Sequence, residues 1–208
     1  AGVPIMGTQP EAIDLAEDRD RFASLLDRLD IAYPPSSTAE TVEEAKGVAR
    51  RVGYPLLVRP SYVLGGRGMA IVYDDDDLVK YMAAATQVSP DHPVYLDAFL
   101  EDAIELDVDA LCDTEQCYVG AVLEHIEECG IHSGDSACCF PPFSLSDKIV
   151  AKIRETTPPP RPSPCHIQGL LNVQYAVRDE QVFVIELNPR ASRTVPFSSK
   201  ARGTPVAL

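Results

Sequence analysis

The chain contains no tryptophan, few basic residues and no long uncharged stretch, and these shortages exclude several classes of protein. Its 208 residues include 18 lysines and arginines against 32 aspartates and glutamates, which gives a net charge of −14. A nucleic-acid-binding protein normally carries a basic face, and none is readable here, so we expect no nucleic-acid partner. The apolar runs are too short to span a bilayer, and no secretory leader opens the chain. We therefore expect a cytoplasmic protein without a membrane partner.

The cysteines lack the spacing of a metal or disulfide framework. No CxxC pair occurs, and Cys138 and Cys139 are adjacent. This spacing argues against a zinc site or a disulfide scaffold, and we expect reduced, partly buried thiols. The six cysteines are Cys112, Cys117, Cys129, Cys138, Cys139 and Cys165.

The distribution of apolar residues predicts an α+β fold with two lobes. Residues 1–34 are expected to form a helical lead-in, which opens with a capping box at Thr8. Residues 35–95 are expected to form a small lobe, in which Thr41 caps a helix that Gly53 ends. Residues 96–208 are expected to form a larger lobe around a sheet. The strands predicted for the second half are Val94–Phe99, Leu106–Leu111, Cys117–Leu123, Leu170–Val177 and Val182–Leu187, and Ser144–Thr156 is predicted as a helix.

A glycine-containing loop in the small lobe is the first candidate ligand site. The segment RPSYVLGGRGM begins at Arg59 and carries Arg67 inside the loop. Glycines let backbone N–H groups approach phosphate oxygens, and arginine adds a permanently charged planar fork. In so acidic a chain, two arginines around one loop favour phosphate binding over a plain β-hairpin.

Three oxygen-bearing side chains form a candidate metal site. Glu186 and Asn188 are two residues apart, so on a strand they face the same way. Gln174 lies on the preceding predicted strand, which can pair with theirs through a turn at residues 178–181. Mg²⁺ prefers hard oxygen ligands that it shares with phosphates. The pattern predicts a metal site rather than a polar strand end that faces solvent.

Two more segments have a composition suited to ligand contact. Arg190 and Arg193 directly follow the metal strand, where they could hold a carboxylate substrate and the phosphoryl group in transfer, or else form surface ion pairs. The segment Gly130–Ser136 is dense in glycine, serine and aspartate. That density is typical of a ligand-contacting loop and equally of a solvated turn. His132 could donate a hydrogen bond to a ribose or a phosphate.

Four strings carry a resemblance to a known family. RPSYVLGGRGM, LEHIEECGIHSGDSAC, LLNVQYAV and IELNPRASRTVPFSSKARGTP resemble the large subunit of carbamoyl-phosphate synthetase, over nearly the whole chain. That subunit carries two homologous ATP-grasp domains, one that phosphorylates bicarbonate and one that phosphorylates carbamate. HSGDSAC and NPRASRTVPF are similar to the second of these. The resemblance implies an ATP-grasp ligase of pyrimidine and arginine biosynthesis, in which two α+β lobes clamp Mg-ATP or Mn-ATP and phosphorylate carbamate.

The resemblance also implies roles for single residues. Glu105 is similar to the acid that binds the ribose hydroxyls, and the backbone groups of Ala98 and Leu100 match those that read the adenine edge. Arg190 and Arg193 match the catalytic, substrate-side arginines. The metal ligands are expected to be Gln174, Glu186 and Asn188. Taken with the residue patterns, the nucleotide contacts are expected to be Arg19, Arg59, Arg67, Ala98, Leu100, Glu105, Gly130, Ile131, His132, Ser133, Gln174 and Glu186.

The implied partners are ATP, carbamate, the remaining parts of the large subunit and a glutaminase small subunit. One departure from the family is the proline-rich run Pro158–Pro164, which stands where the family has a helix. An extended linker and a local reading-frame error in the gene sequence are the two explanations. A non-catalytic nucleotide-binding or assembly module, the bicarbonate-phosphorylating half, and another ATP-grasp enzyme such as biotin carboxylase are the alternative functions.

Overall fold

The computed structural model of the chain describes residues 4–60, 68–88, 93–113, 115–131, 135–157 and 167–206. The chain divides into a small unit, Pro34–Glu101, and a large unit, which combines Ala1–Tyr33 with Asp102–Leu208. The boundary falls after Glu101 instead of residue 95, because Val94–Ala98 is a strand of the small unit's sheet. The lead-in residues are part of the large unit rather than a separate element.

The lead-in consists of two helices, α1 (Pro10–Glu17) and α2 (Arg19–Arg28). They are separate because Asp18 has an extended backbone. The Asp18 side chain accepts the Arg21 N–H at 2.9 Å and so caps α2. One side of α2 then packs into the core of the large unit, through Phe22, Leu25 and Leu26.

The small unit is an antiparallel sheet with two helices. Its elements are β1 (Ser36–Ala39), α3 (Val42–Val52), β2 (Leu56–Pro60), β3 (Ala70–Val72), α4 (Asp75–Val88) and β4 (Val94–Ala98). The strands lie in the order β1-β4-β2-β3. Helices and strands share one apolar cluster, which includes Ala45, Val48, Leu56, Val58, Leu78, Met82 and Leu96.

The two threonines expected to cap helices behave differently. Thr41 is the N-cap of α3, where its hydroxyl accepts the Glu44 N–H, so this prediction is confirmed. The expectation for Thr8 is wrong, because Gln9 occupies the N-cap of α1. The Thr8 hydroxyl instead donates to the carbonyl of Gln168 at 3.0 Å and ties the start of the chain to the entry of a strand.

The large unit is built on a second antiparallel sheet. Its elements are β5 (Ile104–Cys112), β6 (Cys117–His125), β7 (Cys138–Cys139), α5 (Asp147–Thr156), β8 (Gly169–Arg178), β9 (Gln181–Asn188) and α6 (Thr194–Arg202). The strands lie in the order β7-β6-β5-β8-β9. The turn between β8 and β9 uses left-handed backbone at Asp179 and Glu180, which suits a two-residue hairpin connection. Within the described ranges, no helix has both the length and the apolar character needed to cross a membrane.

One face of this second sheet is apolar. Leu106, Val108 and Ala110 alternate along β5 and lie in the main core cluster. Ile149 and Ile153 of α5 join them there, as does α2. Each fully buried aliphatic side chain of this kind stabilises the fold by roughly 1.5–3 kcal/mol. The intervening residues of β5 must point to the opposite face, which is polar.

The cysteine expectation needs one correction. Cys112 and Cys117 are joined in a disulfide. They lie opposite each other at the end of the β5–β6 hairpin, so strand pairing brings them together although they fit no framework spacing. Cys129, Cys138 and Cys139 are free and partly buried, as expected. Cys165 and the proline run Pro158–Pro164 lie outside the described residues.

Candidate functional site

A bulge in β9 decides which way the predicted metal ligands point. Tyr175 pairs with Val184, whereas the preceding residue Gln174 pairs with Glu186, so Ile185 is an extra residue in β9. Val184 lies in the apolar core. Without the bulge, strict alternation would turn Glu186 into that core as well.

The bulge instead gives the sheet a polar edge. Leu187 packs against the core, and Glu186 and Asn188 therefore face the other way. Gln174 is the direct cross-strand partner of Glu186, and Asn172 is that of Asn188. The three predicted metal ligands, Gln174, Glu186 and Asn188, consequently share one face at the junction of β8 and β9.

The central strand β5 supplies an acidic row to the same face. Glu105, Asp107 and Asp109 alternate with the core residues, and Asp107 pairs directly with Gln174. His125 of β6 lies between the first two acids, with Nε2 3.0 Å from Asp107 Oδ2 and Nδ1 3.4 Å from Glu105 Oε2. The His125 side chain is 1% exposed, so the centre of this ion-paired cluster is shielded from water.

The cluster keeps its acids ionised and its histidine charged. Burial lowers the pKa of His125, but its bonds to Asp107, Cys138 and Glu105 outweigh burial and raise the pKa to about 11. Burial raises the pKa of Asp107 and of Glu105, yet hydrogen bonds led by the one from His125 hold both values below their usual range. The imidazolium therefore offsets one of the two carboxylate charges, and the cluster keeps a net negative charge.

The ligating atoms of Asp107, His125 and Cys138 lie within 4.8 Å of one another. All three are already engaged, because His125 Nε2 lies 3.0 Å from Asp107 Oδ2 and the Cys138 thiol donates to the carbonyl of Ser136 at 4.0 Å. The arrangement indicates a hydrogen-bonded network rather than a second metal site.

The loop after β9 is attached to the polar face at several points. Arg190 Nη2 donates to Asn188 Oδ1 at 3.1 Å. The hydroxyls of Ser192 and Thr194 both donate to the buried Asp109. Arg190 and Arg193, the predicted catalytic residues, lie on this loop with largely exposed side chains. The structure thus brings the arginine loop and the predicted metal ligands together.

One predicted nucleotide loop also reaches this face. Gly130, which has a positive φ of 93°, donates its N–H to Glu105 Oε1 at 3.1 Å. Ile131 follows with an exposed side chain. Two predicted contacts from distant parts of the chain, Glu105 and Gly130, are therefore neighbours. His132 and Ser133 lie outside the described residues.

The predicted phosphate residue of the small unit has partners of its own. Arg59 lies on β2, with Nε 3.3 Å from Asp97 Oδ2 on β4. Its guanidinium carbon lies 5.6 Å from the centre of the Tyr95 ring. These contacts place the guanidinium beside Asp97 and Tyr95 and leave the side chain 30% exposed. Arg67 lies outside the described residues.

The remaining predicted contacts belong to both units. Ala98 ends β4, and its N–H already donates to the carbonyl of Pro35 at 2.8 Å. Leu100 is buried, with 9% of its surface exposed. Arg19 opens α2 in the large unit. The nucleotide-binding roles of these three residues stay predictions.

Sequence reasoning missed four residues on the polar face. Asp107, Asp109, His125 and Asn172 are all buried, and hydrogen bonds connect them. A signal for the two aspartates was present, because ELDVDAL alternates acidic and apolar residues over the length of a strand. His125 and Asn172 carry no comparable pattern.

Residues 18–208 match the model of the family described as carbamoyl-phosphate synthase L chain, ATP binding domain. The chain belongs to this family. The resemblance recognised in its motifs is thereby confirmed, and with it the expectation of a ligase family.

Relatives from several organisms match the whole chain. The carbamoyl phosphate synthase large chain of Mycobacterium tuberculosis is 58% identical over 210 residues, and that of Corynebacterium glutamicum is 57% identical over 207 residues. The large chain of Archaeoglobus fulgidus is 55% identical over 207 residues. In the first two of these the matched part is 18% of the relative's length, and in the third it is 19%, so this chain spans less than a fifth of its relatives.

Solved structures share the fold at low sequence identity. Biotin carboxylase from Campylobacter jejuni superposes with a TM-score of 0.79 at 19% identity, covering 97% of this chain and 46% of that one. The biotin carboxylase domain of 2-oxoglutarate carboxylase from Hydrogenobacter thermophilus, described in complex with MgADP and bicarbonate, has a TM-score of 0.71 at 21% identity, covering 99% and 47%. The predicted α+β, ATP-grasp fold is confirmed.

Proposed function

We propose that this chain is the ATP-grasp domain that phosphorylates carbamate, transferring the γ-phosphoryl group of ATP to give carbamoyl phosphate and ADP. The observation that carries the proposal is the bulge at Ile185, which places Gln174, Glu186 and Asn188 on the polar face beside the arginine loop. Family membership supports ATP as the phosphoryl donor.

The donor set on this face suits a hard divalent cation. Gln174, Glu186 and Asn188 offer an amide, a carboxylate and a second amide oxygen, the ligand types that Mg²⁺ shares with phosphates. Glu186 is exposed, so its carboxylate is accessible to an incoming ion. Mg²⁺, or Mn²⁺ in its place, would neutralise charge on the β- and γ-phosphate oxygens when bound. A neighbouring fold was solved with MgADP, which is consistent with this choice.

The chain's own part in the reaction is to position and neutralise its substrates. Arg190 and Arg193 are proposed to hold the carbamate carboxylate and the phosphoryl group in flight, because guanidinium groups bind both bidentately. Glu105 is proposed to bind the ribose, with Gly130, Ile131, His132 and Ser133 as further nucleotide contacts. In the small unit, we propose nucleotide contacts for Arg59, Arg67, Ala98 and Leu100, and in the large unit also for Arg19.

Carbamate is preferred over bicarbonate because HSGDSAC and NPRASRTVPF are similar to the carbamate-phosphorylating half. Under this proposal the chain works with the remaining parts of the large subunit and with a glutaminase subunit, in the cytoplasm. Its relatives are several times longer, in agreement with a role as one domain of a larger enzyme.

The reverse reaction tests the proposal without those partners. Wild-type chain, ADP, Mg²⁺ and carbamoyl phosphate are expected to yield ATP. Glu186→Gln is expected to lower this rate by about 10²–10³-fold with little loss of stability, because it removes charge from an exposed ligand rather than a core side chain. Glu180→Gln, in the turn of the same hairpin, is the matched control and is expected to keep wild-type activity.

Three outcomes would contradict the proposal. Equal rates for Glu186→Gln and wild type would remove Glu186 from the metal site. Bicarbonate-stimulated ATP hydrolysis without ATP formation would assign the chain to the bicarbonate half. Tight nucleotide binding without either reaction would make it a binding module.

A further inference from the structure

Asp109 is a fully buried acid at the centre of the polar face, with 0% of its surface exposed. Its side chain receives three hydrogen bonds. Asn172 Nδ2 and Ser192 Oγ donate to Oδ1 at 3.1 and 2.7 Å, and Thr194 Oγ1 donates to Oδ2 at 2.6 Å. Both oxygens of the carboxyl group therefore accept hydrogen bonds, which offset the cost of burying a polar group.

Two of the three donors come from the arginine loop. Ser192 and Thr194 flank Arg193, and the Thr194 N–H donates to Ser192 Oγ at 3.1 Å. Thr194 also begins α6. One carboxylate therefore ties the loop and the start of the following helix to the middle of β5.

The third donor connects Asp109 to the predicted metal strand. Asn172 pairs across the sheet with Asn188, and its amide also donates to Asp107 at 3.2 Å. Asn188 in turn accepts the bond from Arg190. The loop is thus held at Arg190 from the metal strand and at Ser192 and Thr194 from Asp109.

Holding the backbone of this loop in place matters for chemistry because the side chains of Arg190 and Arg193 are exposed. Arginine carries about 2 kcal/mol of rotamer entropy, so a side chain in solvent needs a fixed backbone to act from a defined position. A displacement of about 1 Å at a reacting group can cost on the order of 10²-fold in rate.

We propose that Asp109 is a positioning residue: it fixes the loop of residues 190–194 on the sheet so that Arg190 and Arg193 meet the phosphoryl group. The catalytic consequence rests on the proposed function, whereas the anchoring of the loop does not. Asp109 contacts neither substrate nor metal in this scheme and acts only through Ser192 and Thr194.

Hydrogen exchange tests the anchoring directly. Asp109→Asn is expected to speed amide exchange in residues 189–196 by about tenfold while β5, β6 and β8 stay protected, because it weakens two bonds to the loop. The double variant Ser192→Ala, Thr194→Ala removes the same bonds from the other side without touching the buried strand. It is expected to reproduce the effect even where Asp109→Asn folds poorly.

A matched control lies on the opposite face. Thr157 is buried, and its hydroxyl lies 3.1 Å from that of Tyr175 in the core. The same hydroxyl donates to the carbonyl of Ile153 at 2.7 Å, so Thr157→Val removes buried hydrogen bonds on the face opposite the loop. It is expected to lower overall stability without selectively speeding exchange in residues 189–196.

The reverse assay tests the catalytic consequence. The double variant is expected to lower kcat by about 10–100-fold while the KM for ADP stays within about twofold, because nucleotide binding does not require the loop to be fixed. Loop exchange at the wild-type rate in the double variant would overturn the anchoring. Faster exchange with unchanged kcat would overturn the positioning role. A wild-type chain without any reverse activity would overturn the proposed function, and the exchange experiment would still decide the anchoring.

Discussion

The two faces of the five-stranded sheet share one backbone but depend on different forces. On the apolar face, Leu106 and Val108 are held by non-directional packing against α2 and α5. On the polar face, Asp107 and Asp109 are held by hydrogen bonds of fixed direction. The apolar face should therefore tolerate changes of side-chain shape, whereas the polar face depends on the positions of its hydrogen-bond donors and acceptors.

Val184→Glu should have the largest effect, because it places a charge on the apolar face. Val184 is 4% exposed, and an unpaired carboxylate buried there costs several kcal/mol. The free energy of unfolding, measured by urea titration, is expected to fall by at least about 4 kcal/mol.

The matched control is Ile185→Glu, which places the same side chain on the adjacent residue of β9. Ile185 is 38% exposed, so this substitution is expected to cost less than about 1 kcal/mol. A Val184→Glu variant as stable as Ile185→Glu would show that the apolar face accommodates a charge.

Leu106→Ala tests the apolar face alone and should rank second. Leu106 is 0% exposed, and truncating such a residue typically costs about 2–5 kcal/mol. Nucleotide affinity, measured by calorimetry on the folded variant, should not change. Leu111→Ala, at a position 38% exposed on the same strand, should cost much less. A selective loss of nucleotide affinity in Leu106→Ala would mean that the two faces are coupled.

The pH dependence of stability should come from the polar face. The pKa of His125 is raised to about 11 from 6.5, so its contribution is complete below pH 6.5 and is lost as the pH rises towards 11. The slope cannot exceed about 1.4 kcal/mol per pH unit for one proton. The pKa values of Glu105 and Asp107 are lowered, so the stability that these two acids contribute is present at neutral pH and is lost as the pH falls into the acid range.

His125→Gln separates these contributions. Urea titrations between about pH 6.5 and 9 are expected to show falling stability in the wild type and a nearly flat profile in the variant. If stability falls equally steeply with pH in both proteins, a group other than His125 causes the pH dependence.

The alternation of apolar and polar residues predicted most of the strands, because a half-buried strand has a period of two. The same rule could not locate the bulge, since nothing in VFVIELN marks Ile185 as the residue that breaks the period. β1 escaped prediction because Ser36–Ala39 is short and polar, and only Ala39 is buried. α6 contains Pro196, which sequence patterns count against a helix although the first turn tolerates it.

The candidate site also contains residues that the sequence predicted and residues that it did not. Its exposed and half-buried members lie in recognisable motifs, and the structure brings Gln174, Glu186 and Asn188 to one face as their spacing predicted. Its buried members were not found, because a strand residue such as Asp109 becomes informative only when its partners Ser192 and Thr194, more than eighty residues away, are folded beside it.

The end of α6 offers a way to observe the loop in real time. Arg202 donates to the carbonyl of Gly120, and its guanidinium lies 5.8 Å from the centre of the half-exposed Tyr118 ring. Since the chain has no tryptophan, Tyr118→Trp would create a single, spectroscopically unique indole beneath that cation. Its emission would report each departure of α6 from β6, and so would convert the loosening of the arginine loop into a fluorescence signal that stopped-flow mixing could follow.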